Sequence, residues 1–137
     1  MVKKVKRYRT KNMNFDTLYM ILMKENLQVL KLDNYTDQKP INYTGIIIYP
    51  DGCKVWCLNG RRHREDGPAI MSRNGNKYWY INGKLHREDG PAVENVTAGF
   101  KSWWLNGKQY SEQNYKRELI KQGILKDPSL LDLVDAI

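Results

Sequence analysis

A four-residue run occurs twice in the sequence, and in each copy a histidine is followed by the basic and acidic residues that proton-transfer chemistry uses. The runs are His63-Arg64-Glu65-Asp66 and His86-Arg87-Glu88-Asp89. Histidine exchanges protons near neutral pH, and paired carboxylates can act as acid and base or bind a metal ion. A hydrolase that uses His63 or His86 is therefore one function to weigh.

The spacing of the runs favours architecture over chemistry. Each run lies in a segment that recurs at offsets of 23 and 24 residues: copy 1 is Trp56–Ile70, copy 2 is Trp79–Val93, and copy 3 starts at Trp103 and leaves the pattern after Tyr110. A repeated element is best explained by what each unit needs to fold against its neighbour. We expect the arginine to pair with a carboxylate, the aspartate to accept backbone hydrogen bonds, and the histidine to hydrogen-bond or pack on the tryptophans.

The sequence contains no recognisable cofactor or metal motif. A phosphate-binding glycine loop, a nucleophile elbow and a dinucleotide fingerprint do not occur. The two cysteines, Cys53 and Cys57, match no zinc spacing, and their Cα atoms would lie about 13 Å apart along a strand, too far for a disulfide. The sequence predicts a protein that is not an enzyme, with no catalytic residues, no metal and no cofactor.

Turn signals predict the fold class, which is mainly β with flanking helices. Asn59-Gly60, Asn82-Gly83 and Asn106-Gly107 each separate two short strand-like runs, and Asn-Gly favours the two-residue type I′ hairpin turn. The sequence therefore predicts an antiparallel β-hairpin repeat meander over residues 45–111, capped by N- and C-terminal helices.

Strand alternation divides the side chains of the meander between two faces. The ladder face carries Trp56 and Leu58, Trp79 and Ile81, and Trp103 and Leu105, and we assign it to the core. The variable face carries Val55 and Cys57 in copy 1. In copies 2 and 3 it carries aromatic residues, which are the predicted protein-binding residues Tyr78, Tyr80, Phe100 and Trp104. These rings either pack beneath the terminal helices or remain open as an interaction surface.

Four segments flank the array. Residues 1–13 form a basic flexible tail, and residues 14–44 contain a helix over 15–25, a strand over 27–32 and a polar loop. Residues 112–123 form a capping helix with Ser111 as N-cap and Gly123 as the stop. Residues 124–137 form an acidic amphipathic tail, which docks on this chain or on a partner protein. Its predicted binding residues are Leu130, Leu133, Val134 and Ile137.

The net charge of +8 is concentrated at one end of the chain. The first eleven residues hold six basic groups and no acidic ones, which leaves +2 for the remainder. Lysine and arginine contact nucleic-acid phosphates, so nucleic-acid binding through this tail is the alternative function. The residues that would carry it are Lys3, Lys4, Lys6, Arg7, Arg9 and Lys11.

The longest apolar run extends only from Leu18 to Met23. A membrane-spanning helix needs about 20 apolar residues, and no small-residue cleavage site follows the run. We therefore expect an intracellular protein without a transmembrane segment.

The phrase Asn-Gly-Lys-x-His-Arg-Glu-Asp-Gly-Pro-Ala, preceded by Trp-aromatic-x, resembles the MORN-repeat-like variant proteins of bacteriophages and large DNA viruses. The likeness spans about Gly45 to Gln122. It implies β-hairpin units stacked into a curved single-layer sheet, and a binding or scaffolding role rather than a reaction. The sequence thus predicts a phage or viral accessory protein that binds or inhibits a macromolecular target, for example a host defence protein.

Overall fold

A computed structural model describes residues 28–126, and this part of the chain is mainly β with one C-terminal helix. The mainly-β prediction is therefore confirmed. The elements are β1 (Val29–Lys31), β2 (Gly45–Ile48), β3 (Lys54–Leu58), β4 (Arg61–Arg62), β5 (Ile70–Met71), β6 (Lys77–Tyr78), β7 (Tyr80–Ile81), β8 (Lys84–Leu85), β9 (Val93–Asn95), β10 (Phe100–Leu105), β11 (Lys108–Tyr110) and α1 (Glu112–Lys121).

Most strands join one mixed sheet in the order β1-β2-β3-β5-β6-β9-β10-β11, and β4 pairs with β3. Two features differ from a purely antiparallel meander. Strands β1 and β2 are parallel, which the long Leu32–Thr44 connection permits. Strand β6 pairs with β9, while β7 and β8 form a separate two-stranded sheet.

The three Asn-Gly pairs form the tips of hairpins, as predicted. Asn59, Asn82 and Asn106 have φ values of 51°, 49° and 49°, and the glycines that follow have φ values of 78°, 80° and 80°. Two successive positive φ angles define the type I′ turn, which suits the twist of the flanking strands.

The capping helix begins and ends where its sequence signals lie. The Ser111 hydroxyl accepts the backbone N–H of Asn114, and Glu112 occupies the first turn and Lys121 the last. Gly123 has a φ of 72° and follows the helix end. Tyr115 and Leu119 of α1 pack against Leu105 of β10, so the helix covers the end of the array.

Three small clusters form the core. One is on the variable face, where the loop after β1 brings Leu32 and Tyr43 onto Ile47. A second is on the ladder face, around Ile46, Trp56 and Ala69. The third joins β10 to α1. Of the predicted ladder-face core residues, Trp56 and Leu105 are buried and Leu58, Trp79, Ile81 and Trp103 are half-buried.

Several predictions concern residues that lie outside the described range. They are the basic tail over 1–13, the helix over 15–25 and the amphipathic segment after Lys126. Within residues 28–126, no helix has the length and apolarity needed to cross a membrane. Both cysteines are free thiols, and burial raises the pKa of each.

Candidate functional site

The arginine of the first His-Arg-Glu-Asp run lies on the tryptophan of its own copy. The Arg64 guanidinium is 4.2 Å from the centroid of the Trp56 ring. Its Nε lies 3.0 Å from Oδ1 of Asp66, and its Nη1 donates to the carbonyl of Pro68 at 3.1 Å. Burial lowers the pKa of Arg64, and the Asp66 carboxylate opposes that shift. The arginine thus stabilises the turn and covers the tryptophan.

The second run repeats these contacts one copy later. The Arg87 guanidinium is 3.8 Å from the Trp79 ring centroid, Nε lies 2.8 Å from Asp89, and Nη1 donates to the Pro91 carbonyl at 3.0 Å. Nη1 also contacts Glu94 at 3.2 Å. The prediction that the arginine pairs with a carboxylate is confirmed, and each arginine also packs on the tryptophan of its own copy.

The glycine of each Gly-Pro pair is required by this arrangement. A Cβ on Gly67 would lie 2.8 Å from Cζ of Arg64, and a Cβ on Gly90 would lie 2.9 Å from Cζ of Arg87. Both distances are shorter than a carbon–carbon contact allows. A glycine therefore leaves the space that the guanidinium group occupies.

The two histidines join each copy to the next. Nδ1 of His63 accepts the backbone N–H of Asn82 at 3.0 Å, and Nδ1 of His86 accepts that of Asn106 at 3.0 Å. At the start of the array the hydroxyl of Thr44 does the same for Asn59, at 2.9 Å. An Nδ1 atom that accepts a hydrogen bond carries no proton, so the proton of each neutral imidazole lies on Nε2.

The remaining ring nitrogen of each histidine points toward a glutamate. Nε2 lies 3.7 Å from Glu65 in the first run and 3.5 Å from Glu88 in the second. All polar atoms of these imidazoles therefore face groups of the array itself.

An open groove runs between the two His-Arg-Glu-Asp turns. His86, Glu65, Asp66 and Glu88 line it, whereas His63 does not. Asp66 Oδ2 is buried there without a hydrogen-bond partner. Over residues 28–126, no three His, Cys, Asp or Glu side chains are placed to hold a metal ion.

The predicted protein-binding aromatics of the array differ in exposure. Phe100 is 51% exposed, and Tyr78 and Trp104 are half-buried. The indole N–H of Trp104 donates to Ser102 at 2.8 Å, which fixes that ring against the sheet. Tyr78 lies in a register row of the variable face between Ile70 and Val93.

Tyr80 has contacts with residues of both faces, since Arg62 is in register with Cys57 of the variable face. It packs against the ladder-face cluster of Ile46, Trp56 and Ala69, and the Arg62 guanidinium is 5.5 Å from its ring centroid. The backbone of Trp79 remains hydrogen-bonded on both sides, because its N–H donates to the Ala92 carbonyl at 2.8 Å and its carbonyl accepts the N–H of His86 at 3.0 Å.

The described helix does not cover the variable-face aromatics. Its side chains Tyr115 and Leu119 contact Leu105 and Trp103, which belong to the ladder face. In copy 3 the helix therefore covers the tryptophan that has no arginine of its own. Of the two alternatives for the variable face, packing beneath this helix does not occur.

Sequence reasoning missed a second surface feature, a basic groove at the start of the array. Lys39, Arg61 and Arg62 line it above Tyr43 and Val55. The sequence signal for this groove was the pair Arg61-Arg62, which stands where copy 2 has Lys84-Leu85. Lys39 gave no such signal, because only the loop after β1 brings it to the groove.

The charge of the described residues also differs from the expectation of a nearly neutral body. Residues 28–126 hold 16 basic and 10 acidic side chains, a net charge of +6. Five of the acidic residues lie outside this range. They are Asp16, Glu25, Asp127, Asp132 and Asp135.

The remaining predicted binding residues lie outside the described range. For nucleic acid they are Lys3, Lys4, Lys6, Arg7, Arg9 and Lys11, and for a partner protein they are Leu130, Leu133, Val134 and Ile137. Comparisons with protein-family models, with curated proteins and with solved structures find no match to this chain.

Proposed function

We propose that this protein is a non-catalytic binding scaffold that holds or inhibits a protein target. One observation carries the proposal: the residues best suited to chemistry make the same contacts in both copies. Each arginine binds its own copy's tryptophan and aspartate, and each histidine accepts a hydrogen bond from the next copy. Residues used twice for assembly explain the repeat without a reaction.

The resemblance to MORN-repeat-like variant proteins supports the same function. It suggests that the hairpin units form a curved single-layer repeat sheet, and that the protein is an intracellular accessory of a phage or large DNA virus. On this view the binding specificity lies where the copies differ, because the shared residues are occupied with one another.

The variable face is the proposed contact surface, with Phe100 at its exposed part. Aromatic side chains supply much of the binding energy at protein interfaces. Tyr78 and Trp104 are accessible in part, and α1 packs on the opposite face.

The test is a pull-down from the native host with nuclease treatment, followed by affinity measurement with the purified partner. Phe100→Ser should weaken binding at least about tenfold, equal to roughly 1.4 kcal/mol. Val96→Ser is the matched control, since Val96 is also an exposed apolar side chain, 61% accessible, and lies on a turn. Equal affinity of both variants, with unchanged melting temperatures, would contradict the proposed surface.

Nucleic-acid binding is the second candidate, and the surplus of six positive charges in residues 28–126 favours it. The six basic residues of the N-terminal tail would add phosphate contacts. The logarithm of the affinity should then fall with log salt, with a slope of about 0.7 to 0.9 per contact. Replacing the six tail residues with glutamine should reduce this slope, and an unchanged slope would reject a role for the tail.

A further inference from the structure

The basic groove at the start of the array has a volume of about 410 Å³ and lies between the loop after β1 and the β3–β4 hairpin. Its basic lining residues are Lys39, Arg61 and Arg62, and it has no acidic lining residue. An anionic occupant would therefore meet three positive charges and no carboxylate in the lining of the groove.

The floor of the groove is apolar. Tyr43, Ile47 and Val55 form it, and they are 5%, 4% and 8% exposed. Ile41 stands at the rim with 90% of its surface exposed, the highest value among the exposed large hydrophobic residues that the structure describes. A fitting occupant thus has apolar side chains as well as negative charge.

Aromatic rings, not carboxylates, hold two of the three cations. Lys39 Nζ is 5.2 Å from the Tyr49 ring centroid and donates to the Tyr49 hydroxyl at 2.9 Å, and Arg62 lies over Tyr80. No carboxylate of residues 28–126 forms an ion pair with Lys39, Arg61 or Arg62. Their charge is therefore available to a ligand.

We propose that the groove binds the acidic segment 127–137 of the same chain. This segment holds Asp127, Asp132 and Asp135 and no lysine or arginine, together with the apolar residues Leu130, Leu133, Val134 and Ile137. The N-terminal tail has the opposite charge and would be repelled. The match in sign and in apolar character singles out this segment within the chain.

The segment is long enough to reach the groove. The described chain ends beside α1, and four strand spacings separate β10 from β3, a distance of about 19 Å. The nine residues from Asp127 to Asp135 span up to about 31 Å when extended, which also allows the segment to pass around the sheet from the ladder face, where α1 packs, to the variable face, where the groove lies. The groove lies at the β3 end of the variable face, four strand spacings from Phe100 of β10, so occupancy of the groove and partner binding at Phe100 are tested separately.

Zero-length carbodiimide cross-linking of the full chain tests the proposal, because it joins lysine amines only to carboxylates in contact. Lys39 should link to Asp132 or Asp135 within one molecule, and Lys101 should not. Lys101 is the matched control, since it is also exposed but lies on the ladder face. Equal yields at Lys39 and Lys101 would overturn the proposal.

A mixture of light and isotope-labelled protein identifies the occupant. We expect cross-links that join two peptides of the same isotope composition only. Cross-links between a light and a labelled peptide would assign the groove to a second copy and overturn the intramolecular proposal. Arg61→Gln with Arg62→Gln should lower the Lys39 link about fivefold, and Arg73→Gln should not. If the Lys39 link is absent and a single-stranded oligonucleotide binds unless Arg61 and Arg62 are replaced, the groove is a nucleic-acid site instead.

Discussion

Arg64 and Arg87 occupy equivalent positions in consecutive copies but differ in exposure. The Arg64 and Asp66 side chains are each 4% exposed, whereas those of Arg87 and Asp89 are 19% and 84% exposed. Removing one partner of a buried ion pair leaves an unpaired charge, while an exposed carboxylate regains water. The repeat thus supplies two similar sites, of which the second is more exposed and has Glu94 as an additional carboxylate partner.

Arg64→Ala should lower the free energy of unfolding by about 3 to 5 kcal/mol, because Asp66 stays buried and the Trp56 face is uncovered. Arg87→Ala should cost only about 1 to 2 kcal/mol, for the lost ring contact and hydrogen bonds. Urea unfolding of both variants measures the difference. Equal losses would show that burial does not set the energy of this contact.

The ionisation of Tyr43, which lies in the variable-face core, makes the stability of the fold depend on pH in the alkaline range. Burial raises the pKa of its phenol to about 12, from the ordinary value of about 10. The folded state therefore disfavours the phenolate, and the stability present below pH about 10 is lost as the pH rises toward about 12.

Tyr43→Phe should flatten the fall of the unfolding free energy between pH about 10 and about 12. At neutral pH the cost should be small, because the hydroxyl contact with the Ile46 carbonyl is long, at 3.4 Å. Urea unfolding across this pH range tests it, with Tyr110→Phe as the control. An unchanged slope would contradict the assignment to Tyr43.

At the scale of elements, α1 replaces the missing third His-Arg-Glu-Asp turn. The Tyr115 hydroxyl donates to the carbonyl of Arg87 at 2.6 Å and accepts the backbone N–H of Gly90 at 3.2 Å. One side chain from the helix thus satisfies two backbone groups of the last complete repeat.

Tyr115→Phe should reduce the unfolding free energy by about 1 to 3 kcal/mol, since it leaves both backbone groups without this partner. Amide hydrogen exchange should show the loss of protection at Gly90. Tyr110→Phe, on the neighbouring strand, should leave the Gly90 exchange rate unchanged. A faster rate in both variants would indicate general loosening instead of a lost hydrogen bond.

At the scale of the whole molecule, the copies are joined by one recurring connection. The backbone N–H groups of Gly60, Gly83 and Gly107 donate to carbonyls of the preceding unit, each within 2.9 Å. Beside each of these bonds, Thr44 or a histidine accepts the N–H of the neighbouring asparagine. Copies 2 and 3 therefore contact the preceding copy through equivalent hydrogen bonds, and Tyr43 and Thr44 supply the same bonds to copy 1.

Deleting Arg61–Gly83, which is 23 residues, should leave a folded protein with a lower melting temperature. The deletion joins Asn59-Gly60 to Lys84-Leu85-His86 and so preserves the phase of the repeat. Stability should fall because an array loses one interface per unit removed. Circular dichroism and thermal unfolding provide the measurement.

The matched control deletes residues 61–72, so that the remaining strands no longer follow one another at the repeat spacing. This deletion should abolish cooperative unfolding. If the in-phase deletion also unfolds, the copies are not interchangeable units. If the out-of-phase deletion folds equally well, the repeat phase is irrelevant to the fold.

Short-range chemistry made part of the fold predictable. The Asn-Gly tips and the Ser111 cap depend on residues close together in the chain, and both lie where the sequence places them. Arg64 and Asp66 are only two residues apart, so their pairing was predictable as well. The repeat itself favoured an architectural role for the histidines, because both copies carry one.

Tertiary structure alone decided the contacts between distant residues. The pairing of β6 with β9, the contact of Tyr80 with the cluster around Trp56 and the approach of Lys39 to Arg61 and Arg62 arise from where separate strands and loops meet. Thr44 makes the hydrogen bond to Asn59 that His63 makes to Asn82. Thr44 precedes Asn59 by 15 residues, whereas His63 precedes Asn82 by 19, so the sequence spacing did not reveal that the two residues are equivalent. Local propensity determined the turns and caps of this protein, and long-range packing decided which face is covered and where its basic groove lies.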